Sequence, residues 1–555
     1  MASTIHICGT KAPSSQSPAA RGVQHSSHKY LPSLWGDFFL THQPCTQSEF
    51  VAMKDKAHIM EEEVRRIMMD VGASKDLVRK LELIDTLERL GLGYHYKKEI
   101  DEVLCVIYND MNESSDLYVT SLRFYLLRKH GYAVSSDVFV KFFRDGKGNI
   151  LGDDANTILM VYDAAHLRTH GEDILDHIIT LCKIRLQSAL KTKSEATLVE
   201  EVRLTLETPR FRRVERVEAR HFISLYQKNV AQNDTILEFA KLDYNIVQVL
   251  YCKELKELTV WWIDLKSHVD VQFARDRMVE MYFWMMAIVY EPYYTYSRII
   301  VTKLVIILAL LDDVFGNYTT TEESAIFCTA IERWDDKATG QLPANQQEFL
   351  KTVIDTTNKI VKELQIHNNK NAEIVKKLVI NTAKCYHSEV KWRDEHYVPT
   401  DVEEHLQISM PSIAAMPTIT LTFISLGDVA SREAIEWAFT FPKIIKGVSI
   451  LARISNDIMS HEREQASGHM ASTVQTCMKQ YEVTVEEAIE KLRVLIEKAW
   501  MDIVQECLDP EHSVVLLEKV VAFAQSIDFM YKHEDRYTLS SNLKDTLTSL
   551  YVKFV

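Results

Sequence analysis

The sequence predicts an all-α protein with two helical domains. Apolar residues recur at helical spacing over long runs, such as 54–69, 360–383 and 484–507. Alternating strand patterns joined by glycine-containing hairpin turns are almost absent. The 555 residues include only 16 glycines and 12 prolines, so few positions interrupt a helix. A chain of this length can also form two domains that each bury a substantial core.

The composition argues against a nucleic-acid partner and against a membrane span. The chain has 64 Lys and Arg against 78 Asp and Glu, a net charge of −14, whereas nucleic acids are bound by basic surfaces. The longest apolar stretches, 285–290 and 304–311, are too short to cross a bilayer. The nine cysteines are scattered and never spaced as CxxC, which favours a reducing compartment.

The chain begins with a segment that we interpret as a disordered leader, residues 1–28. The first 36 residues contain no Asp or Glu and are rich in Ser, Ala and His. Organelle transit peptides share this composition, but the segment is short and poor in arginine. Targeting therefore remains the alternative to a plain disordered leader.

Polar clusters and capping signals mark the helix boundaries. Breaks are predicted at 146–148, which reads Gly-Lys-Gly, and at 232–234, which reads Gln-Asn-Asp. Thr320 and Glu323 have the spacing of a capping box, which predicts that a helix begins after Thr320.

The domain boundary is predicted near residue 235. Between residues 209 and 245 the chain passes from a basic segment, Pro-Arg-Phe-Arg-Arg, into a denser apolar pattern. Such a shift in composition is typical of the passage from one unit to the next. We therefore expect an N-terminal domain at 29–235 and a C-terminal domain at 236–555.

The first element that indicates chemistry is the stretch 304–323, in which a predicted apolar helix carries Asp312 and Asp313 at its carboxyl end. Burying two adjacent carboxylates raises a pKa or unfolds the helix end unless a cation compensates. A bound metal ion or a paired arginine is therefore expected. The alternative is that both aspartates lie at a solvated helix end.

A second element places Asn456, Ser460 and Glu464 at positions i, i+4 and i+8 of a predicted helix. These three side chains lie along one stripe of that helix. An amide, a hydroxyl and a carboxylate supply oxygen ligands, which suit Mg²⁺, whereas zinc favours His and Cys. The alternative is an exposed polar face, since the neighbouring Glu462 and Arg463 are typical surface residues.

A third element, Arg275 and Arg277, lies upstream of the aspartates and is followed by the aromatic run 282–284, which includes Trp284. Arginine binds phosphate with two parallel hydrogen bonds, and an indole face stabilises a cation. By itself this element would be explained by a surface salt bridge. Together the three elements indicate a site for a diphosphate, its metal ions and a cationic organic fragment.

In order and spacing these motifs resemble those of plant class I terpene synthases, specifically the angiosperm sesquiterpene synthase group. The matching segments, which read YLPSLWGD, VEARHF, AKLDYN, KELKEL, FARDR and YKHEDRY, are 30–37, 217–222, 240–245, 253–258, 273–277 and 531–537. The resemblance implies a C-terminal catalytic domain with the class I terpenoid synthase fold and an N-terminal, α/α barrel-like helical domain. The DxDD acid of class II cyclases is absent, so ionisation of the substrate would be triggered by metal.

The resemblance also implies roles for individual residues. The implied metal ligands are Asp312, Asp313, Glu389, Asn456, Ser460 and Glu464. The implied diphosphate-binding arginines are Arg275, Arg277 and Arg453, and Asp312, Asp313 and Asn456 would bind the substrate with them. Trp284 would form the aromatic floor of the pocket, and Tyr531, Asp535 and Tyr537 would belong to the segment that closes over it. The implied ligands are a prenyl diphosphate and three Mg²⁺ ions, with Mn²⁺ as a substitute, and we expect a monomer.

The sequence departs from the family pattern at Gly316, where the DDxxD motif has its last aspartate. In the family the first and last aspartates face the metal ions, so the glycine removes a ligand. Because Mg²⁺ keeps several waters, a water could replace the carboxylate, with help from Glu389. We expect weaker metal binding, not lost chemistry. Gly316 could also end the helix in a left-handed conformation.

Further departures concern the closing segment and a helix break. Arg536 stands where the family usually has glycine, and 412–417 lacks the hydroxyl-rich break of some relatives.

The expected substrate is farnesyl diphosphate in the cytoplasm, because no tandem arginines precede Trp35 as they do in plastid monoterpene synthases. The predicted reaction releases diphosphate and cyclises or quenches the carbocation to a sesquiterpene hydrocarbon or alcohol. One alternative is a catalytically impaired homologue that binds a prenyl diphosphate, motivated by Gly316. The other is an active synthase that uses geranyl or geranylgeranyl diphosphate.

Overall fold

The structure, a computed structural model, describes residues 31–555 except 111, 113, 144–153, 192–195, 230–231, 272–273, 336–339, 341, 368, 468–470 and 509–511. The residues described there form α-helices joined by turns and short 3₁₀ segments and include no β-strand. The all-α prediction is therefore confirmed. The predicted leader, 1–28, and the predicted break at 146–148 lie outside the described residues.

The helices are numbered in chain order. Those of the N-terminal half are α1 (Phe38–Thr41), α2 (Gln47–Ala73), α3 (Leu77–Arg89), α4 (Lys97–Asn109), α5 (Leu117–Lys129), α6 (Val140–Phe143), α7 (Ala155–Ala165), α8 (Asp173–Ala189), α9 (Ala196–Glu207) and α10 (Glu215–Tyr226). Those of the C-terminal half are α11 (Asp234–His268), α12 (Met278–Ile288), α13 (Thr295–Tyr318), α14 (Thr321–Arg333), α15 (Ala344–Ile366), α16 (Ile374–Asp394), α17 (Val402–Ser412), α18 (Ala415–Ser425), α19 (Arg432–Phe439), α20 (Lys443–Ser467), α21 (Thr473–Tyr481), α22 (Val485–Leu508), α23 (Val514–Tyr531) and α24 (Lys544–Tyr551).

Local capping signals place several of these helices where the sequence predicts them. The Asn233 side chain accepts a hydrogen bond from the amide of Ile236 at 3.1 Å and so caps α11. Thr320 and Glu323 form the expected capping box at the start of α14. The predicted domain boundary at 235/236 falls in the first turn of α11 and remains a prediction.

One predicted helical run is wrong, because 360–383 is divided between α15 and α16. The intervening turn contains Asn369, whose side chain donates to the carbonyl of Ile424 at 2.6 Å and accepts from the amide of Asn371 at 3.0 Å. Asparagine side chains compete with helical hydrogen bonds in this way and favour turns. The apolar spacing continues across the turn, which is why periodicity alone suggested one helix.

The packing of the C-terminal half creates an enclosed space near its centre. Helix α20 packs between α22 and α23, and α12 packs against both α13 and α23. Helix α11 connects the two halves, since it contacts α1 and α2 as well as α12, α13 and α24. These contacts hold the carboxyl end of α13 opposite the middle of α20.

One described stretch, Val402–Ser425, is long and apolar enough to cross a membrane by length and composition alone. It is divided into α17 and α18, and 61% of its most apolar window is buried inside the protein. Those properties fit core helices of the C-terminal half.

Candidate functional site

A cavity of about 330 Å³ lies between the helices of the C-terminal half. Its lining has a polar part and an apolar part. The polar part includes Arg275, Asp312, Asp313, Glu389, Arg453, Asn456, Asp457, Arg463 and Glu464. The apolar and aromatic part includes Met281, Trp284, Met285, Val305, Leu308, Ile413, Phe523, Ile527, Tyr531 and Tyr537. Ligand pockets commonly combine an apolar wall with a few polar groups in this way.

The two adjacent aspartates of α13 have different environments. The Asp313 side chain is 3% exposed and lies against Arg275, whose backbone amide and Nη2 approach its oxygens at 2.9 and 2.8 Å. The Asp312 side chain is 47% exposed and accepts a bond from the same guanidinium at 3.2 Å. Enclosure in the cavity raises the pKa of Asp312, and Arg275 opposes the rise. Asp313 therefore orients Arg275, and Asp312 opens into the cavity.

Gly316 lies within α13, which continues to Tyr318. Its φ is not positive, so the interpretation of Gly316 as a left-handed helix end is wrong. The carboxyl end of α13 is instead capped by Arg393, whose guanidinium donates to the carbonyls of Phe315, Gly316 and Thr319 at 3.1, 2.7 and 2.5 Å. Gly316 lines the cavity, and a Cβ added there would meet no atom within 4 Å.

The second predicted motif lies on α20 and includes a buried hydroxyl. Ser460 is fully buried, and its hydroxyl interacts with the carboxylate of Glu464 one turn later, which opposes a rise in the pKa of Glu464. Asn456 and Glu464 line the cavity on either side of it in sequence. Burial raises the pKa of Glu464 to about 7. The stripe is therefore not an exposed polar face.

The donor set of the two helices suits Mg²⁺ held jointly with a diphosphate. Asp312, Asn456 and Glu464 line the cavity, Ser460 lies on the same helix as the last two, and each of the four side chains has an oxygen atom that can bind a metal ion. Within the described ranges, no three His, Cys, Asp or Glu side chains are grouped to hold a metal by themselves. Mg²⁺ normally takes one or two carboxylates together with substrate phosphates, so the residues present fit that ion.

Arg453 and Glu389 form a buried polar cluster at the cavity wall. Arg453 donates to the Ser409 carbonyl at 3.2 Å and the Ser412 hydroxyl at 3.0 Å, and it lies 3.5 Å from Glu389 and Asp457. Ser412 also donates to Glu389 at 2.5 Å. Burial raises the pKa of Glu389 to about 7, although Arg453 opposes the rise. Glu389 therefore positions Arg453 and can accept a proton.

The segment 412–417 contains a helix break even without the hydroxyl-rich sequence of some relatives. Helix α17 ends at Ser412 and α18 begins at Ala415, with Ala414 between them at a positive φ of 60°. Ser412 and Ala414 both line the cavity. The left-handed conformation costs alanine on the order of 1 kcal/mol, so the surrounding packing must hold the break in place.

An aromatic cluster forms one side of the cavity. The rings of Trp284 and Tyr537 lie 5.2 Å apart, and Tyr531 lies 6.1 Å from the indole. The guanidinium of Arg275 lies 4.8 Å from the centre of the Tyr537 ring. The predicted aromatic floor and the predicted diphosphate-binding arginine therefore share Tyr537 as a neighbour, which brings the polar and apolar parts of the cavity together.

Besides the buried Ser460, two predicted site residues, Arg277 and Asp535, are absent from the cavity lining. Arg277 is 2% exposed and donates to the carbonyls of Tyr537, Thr538 and Leu31 at 3.0 to 3.1 Å. Asp535 is also 2% exposed and accepts from the Thr538 amide at 2.9 Å. Both residues hold the closing segment, residues 531–538, and neither is among the lining residues. Their assignment to catalysis and substrate binding remains a prediction.

Arg463 is a site residue that the sequence interpretation treated as part of the surface. Its side chain lines the cavity and donates to Asp535 at 2.8 Å, so it connects α20 to the closing segment. Arg463 follows Asn456 by seven residues and Ser460 by three, which places it on the same helical face. This spacing in the sequence indicates that Arg463 faces the same site as Asn456 and Ser460. Asn317, the neighbour of Gly316, also lines the cavity and gave no such signal.

The unusual Arg536 is accommodated without backbone strain. Its φ is not positive, and its Nη1 donates to the carbonyl of Phe529 at 3.0 Å. The guanidinium also lies 4.5 Å from the centre of the Phe529 ring. Arg536 therefore fixes the closing segment to the end of α23, whereas a glycine would leave that contact unmade.

Two family models match most of the chain. Residues 34–206 match the terpene synthase N-terminal domain, and residues 263–502 match the metal binding domain of the terpene synthase family. The chain is 51% identical to (E)-beta-caryophyllene synthase of Zea mays, over 95% of this chain and 96% of that protein. It is 44% identical to zingiberene synthase of Sorghum bicolor, over 94% of this chain and 96% of that protein.

Solved structures agree with this match. Limonene synthase with 2-fluorolinalyl diphosphate superposes with a TM-score of 0.87 at 27% identity, over 95% of this chain and 99% of that one. Isoprene synthase from grey poplar (Populus x canescens), in complex with three Mg²⁺ ions and dimethylallyl-S-thiolodiphosphate, superposes with a TM-score of 0.83 at 27% identity. That match covers 94% of this chain and 99% of the other.

Proposed function

The chain belongs to the terpene synthase family, and from this membership we propose that it is a sesquiterpene synthase that ionises farnesyl diphosphate. One observation supports the reaction most strongly, namely a single cavity that joins oxygen ligands and arginines to an aromatic, apolar wall. The substrate is proposed from relatives such as (E)-beta-caryophyllene synthase, at 51% identity over nearly the whole chain. The product is a sesquiterpene hydrocarbon or alcohol.

The polar part of the cavity binds the diphosphate and stabilises its departure. Asp312, Asn456, Ser460 and Glu464 hold Mg²⁺, which when bound supplies Lewis-acid stabilisation of the charge on the leaving group. Arg275 and Arg453 donate hydrogen bonds to the phosphate oxygens. Three ions are proposed from the poplar isoprene synthase complex, and Mn²⁺ is proposed as a substitute.

Asp313 and Glu389 position the two arginines that bind the diphosphate. Each carboxylate lies beside one of the two arginines, Arg275 and Arg453, and limits the positions that its guanidinium can adopt. Positioned donors stabilise developing charge without reorganising at the moment of reaction. Asp313 and Glu389 are therefore proposed as positioning residues in addition to their predicted metal-binding roles.

The apolar part of the cavity protects the carbocation. Trp284, Tyr531 and Tyr537 present ring faces that stabilise positive charge. The surrounding Met, Val, Leu, Ile and Phe side chains exclude water until the ring closes or a single water quenches the cation. Arg277, Arg463 and Asp535 hold the closing segment over the opening, which keeps bulk water out.

The alternative of a catalytically impaired homologue is not favoured. Apart from position 316, the metal ligands and diphosphate-binding arginines that the family resemblance implies are all present in the chain. Gly316 removes only one ligand. We further propose that the protein acts as a cytoplasmic monomer, with its catalytic domain at 236–555 and its N-terminal domain at 29–235.

Purified protein tests the substrate assignment directly. It should be incubated separately with farnesyl, geranyl and geranylgeranyl diphosphate at a series of Mg²⁺ concentrations, and products identified by gas chromatography with mass spectrometry. Farnesyl diphosphate should give the highest kcat/KM. Absence of product from all three substrates across Mg²⁺ and Mn²⁺ titrations would contradict the proposal, and a preference for another chain length would correct it.

A further inference from the structure

A second cavity lies between the N-terminal and C-terminal halves of the protein. Its volume is about 450 Å³, larger than the 330 Å³ of the proposed catalytic cavity. Residues of α4 and α5 line one side of it, and residues of α12, α22 and α23 line the other. Cavities of this size between domains commonly bind small molecules.

The walls contributed by the C-terminal half are mainly apolar. Ala287 and Ile288 line the cavity from α12, and Val515, Val521 and Ala522 line it from α23. The same two helices also contribute side chains to the catalytic cavity, but no residue lines both cavities. The second cavity is therefore a separate space behind α12 and α23.

One buried group in this cavity has an unused hydrogen-bonding atom. Glu291 has no exposed surface, and its Oε1 accepts bonds from Lys519 at 2.6 Å and Lys97 at 3.3 Å. Its Oε2 has no hydrogen-bond partner among the described residues. Although burial opposes ionisation, the two ammonium groups lower the pKa of Glu291. A buried, ionised oxygen without a partner is costly, so Oε2 requires a donor.

The charges around Glu291 are balanced, which selects an uncharged ligand. Glu291 and Glu518 oppose Lys97 and Lys519, with Glu518 3.5 Å from Lys97. The other charged lining residues also balance, because Glu88, Asp101 and Glu215 oppose Arg128, Lys129 and His130, whose pKa is raised to about 9. An anionic ligand would be repelled by the free carboxylate oxygen, and a cationic ligand would be repelled by the two lysines. A hydroxyl group satisfies Oε2 without adding charge.

We propose that this cavity is a second binding site, for an uncharged apolar alcohol. The hydroxyl of the ligand donates a hydrogen bond to Glu291 Oε2, and its carbon skeleton lies against α12 and α23. The site does not depend on the proposed reaction, because no residue that lines it belongs to the catalytic cavity.

Two isomeric probes test the role of the carboxylate. 1-Octanol can donate a hydrogen bond, whereas 1-methoxyheptane has the same atoms and cannot. Titration of the wild-type protein by isothermal calorimetry should show saturable binding of 1-octanol, with the ether at least about tenfold weaker, as expected for a bond to a charged acceptor. Equal binding of both probes, or no binding of either, would overturn the proposal and leave water as the partner of Oε2.

A cavity-filling variant tests the location. Val515→Trp should weaken binding of 1-octanol at least about tenfold. Ala522→Phe, seven residues later on α23, should fill the same cavity and have the same effect. Val494→Trp, at a valine that is 54% exposed and does not line the cavity, is the matched control and should bind as the wild type does. Circular dichroism and turnover confirm that each variant folds. Unchanged binding in both cavity variants would place the probe elsewhere, for example in the catalytic cavity, and would overturn the proposal.

Discussion

Replacing Gly316 with aspartate should strengthen Mg²⁺ binding without disturbing the fold. The added Cβ meets no atom within 4 Å, and the backbone is regular helix, so no steric strain is expected. Helix propensity favours aspartate over glycine by roughly 0.3 kcal/mol. The added carboxylate lies one turn from Asp312, and like charges at that spacing cost about 0.2 to 0.5 kcal/mol. These effects nearly cancel, so the melting temperature should change little.

The gain in metal affinity should exceed those small effects. Gly316→Asp supplies an oxygen ligand one helical turn after Asp312, where the wild-type protein has only water to offer. We expect about tenfold tighter binding, equivalent to about 1.4 kcal/mol. Steady-state turnover of farnesyl diphosphate should therefore reach half its maximum at about one tenth of the wild-type Mg²⁺ concentration. The kcat at saturating Mg²⁺ should change less than about twofold, because the other ligands are present in both proteins.

Gly316→Asn is the matched control, because asparagine has the size of aspartate without its charge. It should shift the Mg²⁺ dependence much less than Gly316→Asp does. An unchanged half-saturating concentration in Gly316→Asp would refute the reasoning that position 316 faces the metal. Equal shifts in both variants would refute the role of the carboxylate. A wild-type protein without turnover that becomes active only as Gly316→Asp would instead support the impaired homologue.

The remaining predictions concern the aromatic wall, the cap of α13 and the titration of the site. Trp284→Leu should lower kcat about fivefold to thirtyfold with little change in KM, because the indole stabilises the cation by roughly 1 to 2 kcal/mol, and single-turnover kinetics would check this. Arg393→Met leaves three carbonyls without their guanidinium partner and should reduce the free energy of unfolding by about 2 kcal/mol. Differential scanning calorimetry should show this loss as a lower melting temperature. The raised pKa of Glu464, about 7, means that protons compete with Mg²⁺ below neutrality, so the half-saturating Mg²⁺ concentration should be higher at pH 6 than at pH 8. A pH-independent Mg²⁺ requirement would contradict that assignment.

Local patterns in the sequence predicted the helices that carry the site. The apolar spacing of α13 and the capping box at Thr320 depend on residues within a few positions of one another. The stripe of Asn456, Ser460 and Glu464 follows from the geometry of one helix. These local features are present in the folded structure because no contact with a distant segment opposes them.

Contacts between distant segments could not be predicted in the same way. Gly316 stays helical because Arg393, 77 residues away, caps the end of α13. Arg277 turns away from the cavity because carbonyls of the closing segment, about 260 residues away, accept its hydrogen bonds. The break after α15 depends on Asn369 and its bond to α18. In each case a polar partner from another element decides the orientation, and spacing along the chain carries no information about that partner.

The most direct test of the central claim measures diphosphate release and C15 product in the same reaction with farnesyl diphosphate. With Mg²⁺ present, the account predicts one volatile sesquiterpene for each diphosphate released, and loss of both when the metal is removed with EDTA. Restoring Mg²⁺ should restore both. Diphosphate release that persists without a divalent metal, or binding of farnesyl diphosphate without any release across the Mg²⁺ series, would contradict the proposal that this cavity ionises the substrate through metal bound by α13 and α20.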